Sequence, residues 1–136
     1  MLRMVAFSFR AMYPSTPQLP GLDHAHSTEM AQRIFVEASP TFRLGIVLGS
    51  LVFVLTPVLT LGLPLPAFLL SPEKLDLHAQ RITSHRFYLV RQAIVLVKLG
   101  GGMAWATQPR VRDQLSLPAL PPDPGTWRAA HPGPTP

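Results

Sequence analysis

The sequence predicts an all-α fold: a small helical bundle with one long apolar segment and irregular, proline-rich termini. Three observations predict it. Helix-opening signals recur along the chain, apolar positions between them repeat every three or four residues, and no pair of alternating strand-like runs is present. With 136 residues there is room for one domain. Its helical part is expected over residues 28–117, between an irregular segment at 1–27 and a proline-rich tail at 118–136.

The first 27 residues are expected to be irregular because Pro14, Pro17, Pro20 and Gly21 punctuate them. The apolar stretch from Met4 to Phe9 is short and ends at Arg10, so no cleaved export signal is expected. Ser27, Thr28 and Glu29 read as a helix start, with a hydroxyl to cap free backbone amides. Met30, Ile34 and Phe35 share one face of that helix, and Pro40 stops it.

Between Leu44 and Leu70 no residue is charged. About 20 apolar residues cross a bilayer core at roughly 1.5 Å each, so the stretch is long enough to span. Pro57, Gly62, Pro64 and Pro66 break its second half, and Pro57 removes an intrahelical hydrogen bond. Three readings stand: a kinked span, a segment at a membrane interface or against a partner, and a core helix over 44–56 followed by an apolar loop.

Ser71-Pro72-Glu73 opens the next helix with a capping hydroxyl, proline in the first turn and an acid at the positive helix end. Leu75, Ala79 and Ile82 form its apolar side. Ser84-His85 interrupts the pattern, and a stronger helix runs from near Phe87 to Ala106. Arg91 and Lys98 inside it argue against a membrane span and for the central core helix. Gly100-Gly101-Gly102 lacks the strand before it and the lysine after it that a phosphate loop needs, so close packing on a neighbouring helix is expected. A short capped helix follows from Thr107 through Leu115, with Pro109 near its start.

Composition narrows the function. Only 14% of the residues are charged, against about 25% in ordinary domains. Few charges leave little solvated surface, so part of the outside is expected to be hidden against something else. Twelve Lys and Arg against seven acids give a net charge of +5. The cations are spaced singly through apolar sequence without interleaved aromatics, which points to anionic headgroups or an acidic partner rather than nucleic acid. The absence of cysteine removes disulfides, thiolate metal sites and thiol nucleophiles.

No catalytic constellation is read from the residues. Asp23, His24 and His26 are expected in a surface loop, and His78 and His85 are seven apart, not the three or four of a helical zinc pair. Glu73 and Asp76 share a first helical turn, where the helix dipole accounts for them. No glycine fingerprint for a dinucleotide follows a strand. No catalytic, metal or cofactor-binding residue is therefore assigned, and the chain is read as a non-enzyme.

One stretch carries a resemblance. Leu70-Ser71-Pro72-Glu73-Lys74 is followed by Ser84-His85-Arg86-Phe87-Tyr88-Leu89-Val90-Arg91-Gln92. Next come Lys98-Leu99, Trp105 and Gln108-Pro109-Arg110-Val111-Arg112, then Pro122-Asp123-Pro124-Gly125-Thr126-Trp127. This order, from Leu70 to Arg128, resembles the gluconate 2-dehydrogenase small (gamma) subunit-like helical family, companions of GMC-type flavin oxidoreductases. The resemblance implies a non-catalytic accessory subunit of a larger flavoprotein alcohol or sugar dehydrogenase. FAD and the chemistry would then belong to the partner. Arg86, Phe87, Arg91, Lys98 and Trp105 are the expected partner-facing or packing residues, since Trp and Arg favour interface centres. The rival expectation is a single-span or monotopic membrane protein, membrane-associated through residues 44–70. Lys74, Arg81, Arg86 and Arg91 would then place its C-terminal side inside the cell.

Overall fold

Pro57 decides how the longest uncharged stretch folds. Proline has no amide hydrogen, so the helix that begins at Pro40 cannot continue its hydrogen-bond ladder through residue 57. The computed structural model, which describes residues 1–118 and 121–122, accordingly divides residues 44–70. Helix α3 covers Pro40–Leu55, a one-turn helix α4 covers Pro57–Leu61, and a single 3₁₀ turn covers Ala67–Leu69. Gly62 ends α4 at φ +70°, a left-handed conformation that costs glycine little. No helix of spanning length forms there.

The remaining elements are also helical. Helix α1 spans Leu2–Met12, α2 His24–Glu37, α5 Pro72–Thr83, α6 Tyr88–Thr107 and α7 Pro109–Gln114. The all-α expectation holds: the described residues contain seven α-helices and no strand. The tail expected at 118–136 lies outside the described residues except for positions 118, 121 and 122.

The N-terminal expectation needs correction. Residues 1–27 are irregular only over 13–23, where the prolines stand: α1 occupies Leu2–Met12 and α2 starts at His24. In α1, Val5, Ala6, Phe9 and Ala11 are buried, so a short apolar stretch without a cap becomes helical through tertiary burial. In α2 the cap is Asp23, whose carboxylate accepts from the His26 backbone N–H at 2.8 Å. Ser27 and Thr28, expected to cap, turn their hydroxyls back to the His24 carbonyl at 2.9 and 2.8 Å. Pro40 does stop α2, and it also opens α3, where Ser39 Oγ accepts from Phe42 N at 3.3 Å. Ser71 sits at the expected start of α5, with Pro72 in the first turn, but its hydroxyl makes no cap bond.

Helices α3 and α6 form the spine and pack more extensively than any other pair. Gly45 faces Leu96 and Gly49 faces Ala93, so the two helices run antiparallel. At Gly49 the backbones nearly touch: a Cβ there would stand 2.3 Å from the Ala93 carbonyl oxygen. Helix α1 packs on both helices from one side, and α2 closes over α1 and α6. The triple glycine lies on that inner side without breaking α6. Gly100 and Gly101 admit the rings of Phe9 and Tyr13, as close helix packing requires.

The segment between α1 and α2 is tied down at several points. Tyr13 donates its hydroxyl to the Lys98 carbonyl at 2.9 Å and stacks on Trp105 with ring centroids 5.9 Å apart. Trp105 Nε1–H donates to the Pro20 carbonyl at 2.8 Å. Gln108 is buried between α6 and α7; its amide donates to the Gly21 carbonyl and its oxygen accepts from Asp23 N. The prolines there break helical periodicity while the side chains of Trp105 and Gln108 bond to the backbone of Pro20, Gly21 and Asp23.

The α3–α6 contact yields a graded expectation. Gly49→Ala meets backbone and is expected to lower stability by about 1–3 kcal/mol, the usual range for overpacking. Gly45→Ala meets only the flexible end of Leu96, 2.6 Å from the added carbon, and is expected to cost less. Denaturant midpoints of the two variants check the order.

Candidate docking surface

The outer side of the spine is apolar. On α3, Leu44, Leu48, Leu51 and Leu55 are exposed at spacings of four, three and four residues. At about 100° per residue, Leu48, Leu51 and Leu55 each stand roughly 200° from the buried Ile46, Gly49 and Phe53. They therefore project on the side away from α1. On α6, Leu99 and Met103 stand in the same relation to the buried Val97 and Gly101, with Val95 beside them. This periodicity is present in the sequence, where uniform apolarity over 44–70 conceals which residues face inward.

One end of the bundle extends this face. Because α3 and α6 are antiparallel, Leu55 near the end of α3 and Tyr88 at the start of α6 lie about 8–9 Å along each axis from the Gly49–Ala93 contact. Val58 and Leu59 of α4 are exposed beyond Leu55. The 3₁₀ turn buries Ala67 in the cluster that contains Phe53, Ile82 and Ile94, which leaves Phe68 and Leu69 each 60% exposed. From the α5–α6 turn, Phe87, Tyr88 and Leu89 are exposed, Leu89 to 79%.

Cations and aromatics rim this end. The Arg86 guanidinium lies 4.7 Å from the Phe87 ring centroid, and that of Arg91 lies 5.9 Å from the Tyr88 centroid. Arg91 Nη1 also donates to the His85 carbonyl at 3.0 Å, which holds the turn in shape. No acid occurs at positions 38–72 or 77–112, whereas Arg81, Arg86, Arg91 and Lys98 lie within the second range. Of the expected interface residues, Arg86, Phe87 and Arg91 come together. Lys98 is exposed farther along α6, and Trp105 is packed beneath the 14–20 segment at the other end.

A buried polar junction holds this end in place. The Phe53 carbonyl would accept from residue 57 in an unbroken helix, but residue 57 is proline. His78 of α5 takes over: its Nε2–H donates to the Phe53 oxygen at 2.9 Å. A carbonyl only accepts, so the proton is on Nε2, and the Thr60 hydroxyl donates to Nδ1 at 2.5 Å. The His78 ring also packs 4.8 Å from that of Phe53, and Arg81 Nη1 donates to the Thr60 carbonyl at 2.7 Å. Burial pushes the His78 pKa below its ordinary value, against the opposing effect of the Phe53 hydrogen bond. Nothing in the sequence pairs His78 with residues 53 and 60; only the Pro57 gap hints at a missing donor.

The other polar side chains are dispersed. Among the described residues no three His, Asp or Glu gather into a metal-holding group. Asp23 and His26 do contact each other at 2.9 Å, but at the head of α2 rather than in a loop. His24 Nδ1 accepts from the Arg10 guanidinium, a cation placed where a metal ion would be repelled. His78 and His85 do not form a pair: His78 is wholly buried, and His85 contacts Phe87 in the turn.

Among the described residues, α6 is the one helix long and apolar enough to cross a membrane by length and composition, with 28% of its most apolar window buried. It is also the central helix of the bundle, as expected from the sequence. No protein-family model, no curated protein and no solved structure matches this chain.

The buried histidine carries a pH expectation. A depressed folded-state pKa means that the unfolded chain takes up the proton first on acidification. The His78 contribution is therefore complete above the ordinary value of 6.5 and is lost as pH falls below it toward the lowered folded-state value. His78→Phe removes the donor to Phe53 and is expected to cost about 1–3 kcal/mol at pH 7.5. It is also expected to flatten the decline in stability between pH 7 and pH 5. Denaturant titrations of both proteins across that range check the magnitude and the slope.

Proposed function

We propose that this chain is a non-catalytic helical protein that attaches to a membrane surface through the outer face of α3 and the adjoining apolar end. The observation that supports it most directly is the run Leu44, Leu48, Leu51 and Leu55, exposed on one side of a helix and continued by Val58, Leu59, Phe68 and Leu69. Full burial of a leucine side chain contributes about 1.5–3 kcal/mol. These side chains are about half exposed, so seating several of them in the acyl boundary supplies several kcal/mol by the same measure.

Lying on the surface suits α6 better than crossing. Its inner side is engaged by α1, α2 and α3, and Arg91 and Lys98 fall within its length. Extraction into lipid as a lone span would strip those contacts and bury both charges. Service to a larger FAD-containing dehydrogenase stays a proposal carried by the motif resemblance between Leu70 and Arg128, and the same face would serve it.

Flotation on vesicles in a density gradient tests the attachment. The protein is expected to rise with the vesicles. The combined variant Leu48→Ser, Leu51→Ser, Leu55→Ser is expected to stay at the bottom with its helical circular dichroism unchanged. Wild-type protein that stays at the bottom with every vesicle composition would overturn the reading. A coloured complex showing flavin absorption after mild-detergent purification from the native host would move the face to a flavoprotein partner.

A further inference from the structure

Resting on the membrane reading, we propose that the α5–α6 turn makes the attachment selective for anionic lipid. The turn presents Phe87, Tyr88 and Leu89 outward, flanked by Arg86 and Arg91, and the acyl-seeking residues of α4 and the 3₁₀ turn lie at the same end. Rings and leucine enter the headgroup–acyl boundary while the guanidiniums stay at headgroup level, the arrangement that amphipathic side chains adopt at an interface.

Charge complementarity selects this occupant. The outward surface draws on residues 38–72 and 77–112, which contain cations and no acid; Glu73, exposed at the start of α5, is followed directly by the cation Lys74. Among the described residues, the acids other than Glu73 and Asp76 belong to the α2 and α7 regions, and Asp76 lines a hollow against Phe7, Arg10 and Pro14 of the α1 region. The guanidiniums of Arg86 and Arg91 each lie over an aromatic ring, and among the described residues neither takes part in an ion pair. A neutral bilayer would satisfy the leucines equally well but would leave these cations without a counter-charge. A second copy of this chain would oppose two surfaces of the same sign.

The test compares vesicles of neutral phosphatidylcholine with vesicles carrying one third phosphatidylserine. At about 1 kcal/mol per cation near an anionic surface, Arg86→Gln is expected to weaken binding to the anionic vesicles roughly five-fold. Arg86→Gln with Arg91→Gln is expected to weaken it roughly thirty-fold, with little effect on neutral vesicles. Raising salt from 0.1 to 0.5 M is expected to remove most of the preference. Because Arg91 also holds the turn, Arg86→Lys serves as the control that retains charge and is expected to retain the preference. Equal, salt-insensitive binding to both vesicles would overturn this selectivity while leaving membrane attachment standing. Binding to neither would remove both. A stable dimer that ignores both vesicles would assign the face to a second copy and likewise overturn the proposal.

Discussion

The carbonyl of Phe53 is left without its helical donor because residue 57 is proline, and much of the fold follows from how that vacancy is filled. His78 donates to it from α5, and Thr60, one turn beyond the break, closes the other side of the imidazole. Three separate elements are thereby joined at one buried point. Without the break at Pro57, α3 would run on as one apolar helix to Gly62. With it, α4 and the 3₁₀ turn fold back, Ala67 enters the core beside Phe53, and α5 is drawn onto α3.

A second constraint acts at the centre of the spine. The approach of α3 to α6 requires a residue without a side chain at Gly49, and the approach of α1 to α6 uses Gly100 and Gly101 in the same way. Small residues bring the backbones together, and the bulky residues are displaced to the outside. Leu44, Leu48, Leu51 and Leu55 are exposed because the inner face of α3 is already occupied by Ile46, Gly49, Ser50 and Phe53. Charge poverty and exposed leucine thus have one origin: more apolar side chains than the two core clusters can hold.

Much of the helical architecture is readable along the chain. Pro40, Pro72 and Pro109 each stand in the first turn of a helix, and the 3.6-residue pattern from Tyr88 through Thr107 marks the central one. Other elements are not readable this way. Helix α1 lacks a cap and follows no strong start signal; it exists because Val5, Ala6 and Phe9 are covered by α2, α3 and α6. Asp23 surpasses Ser27 as the cap because a carboxylate at that position reaches the His26 amide, while the hydroxyls find a nearer acceptor in His24 O.

The candidate surface divides along the same line. By itself the sequence determined the helical class, the shortage of charge and the absence of acids across 38–72 and 77–112. These are properties of composition and local spacing, which survive in any conformation. Tertiary structure alone decided which leucines stay outside, that Trp105 packs away from Arg86, and that His78 is buried against residues 53 and 60. Those outcomes depend on which helix face meets a partner, and contacts between residues 18 to 85 positions apart leave no periodic trace in the chain that makes them.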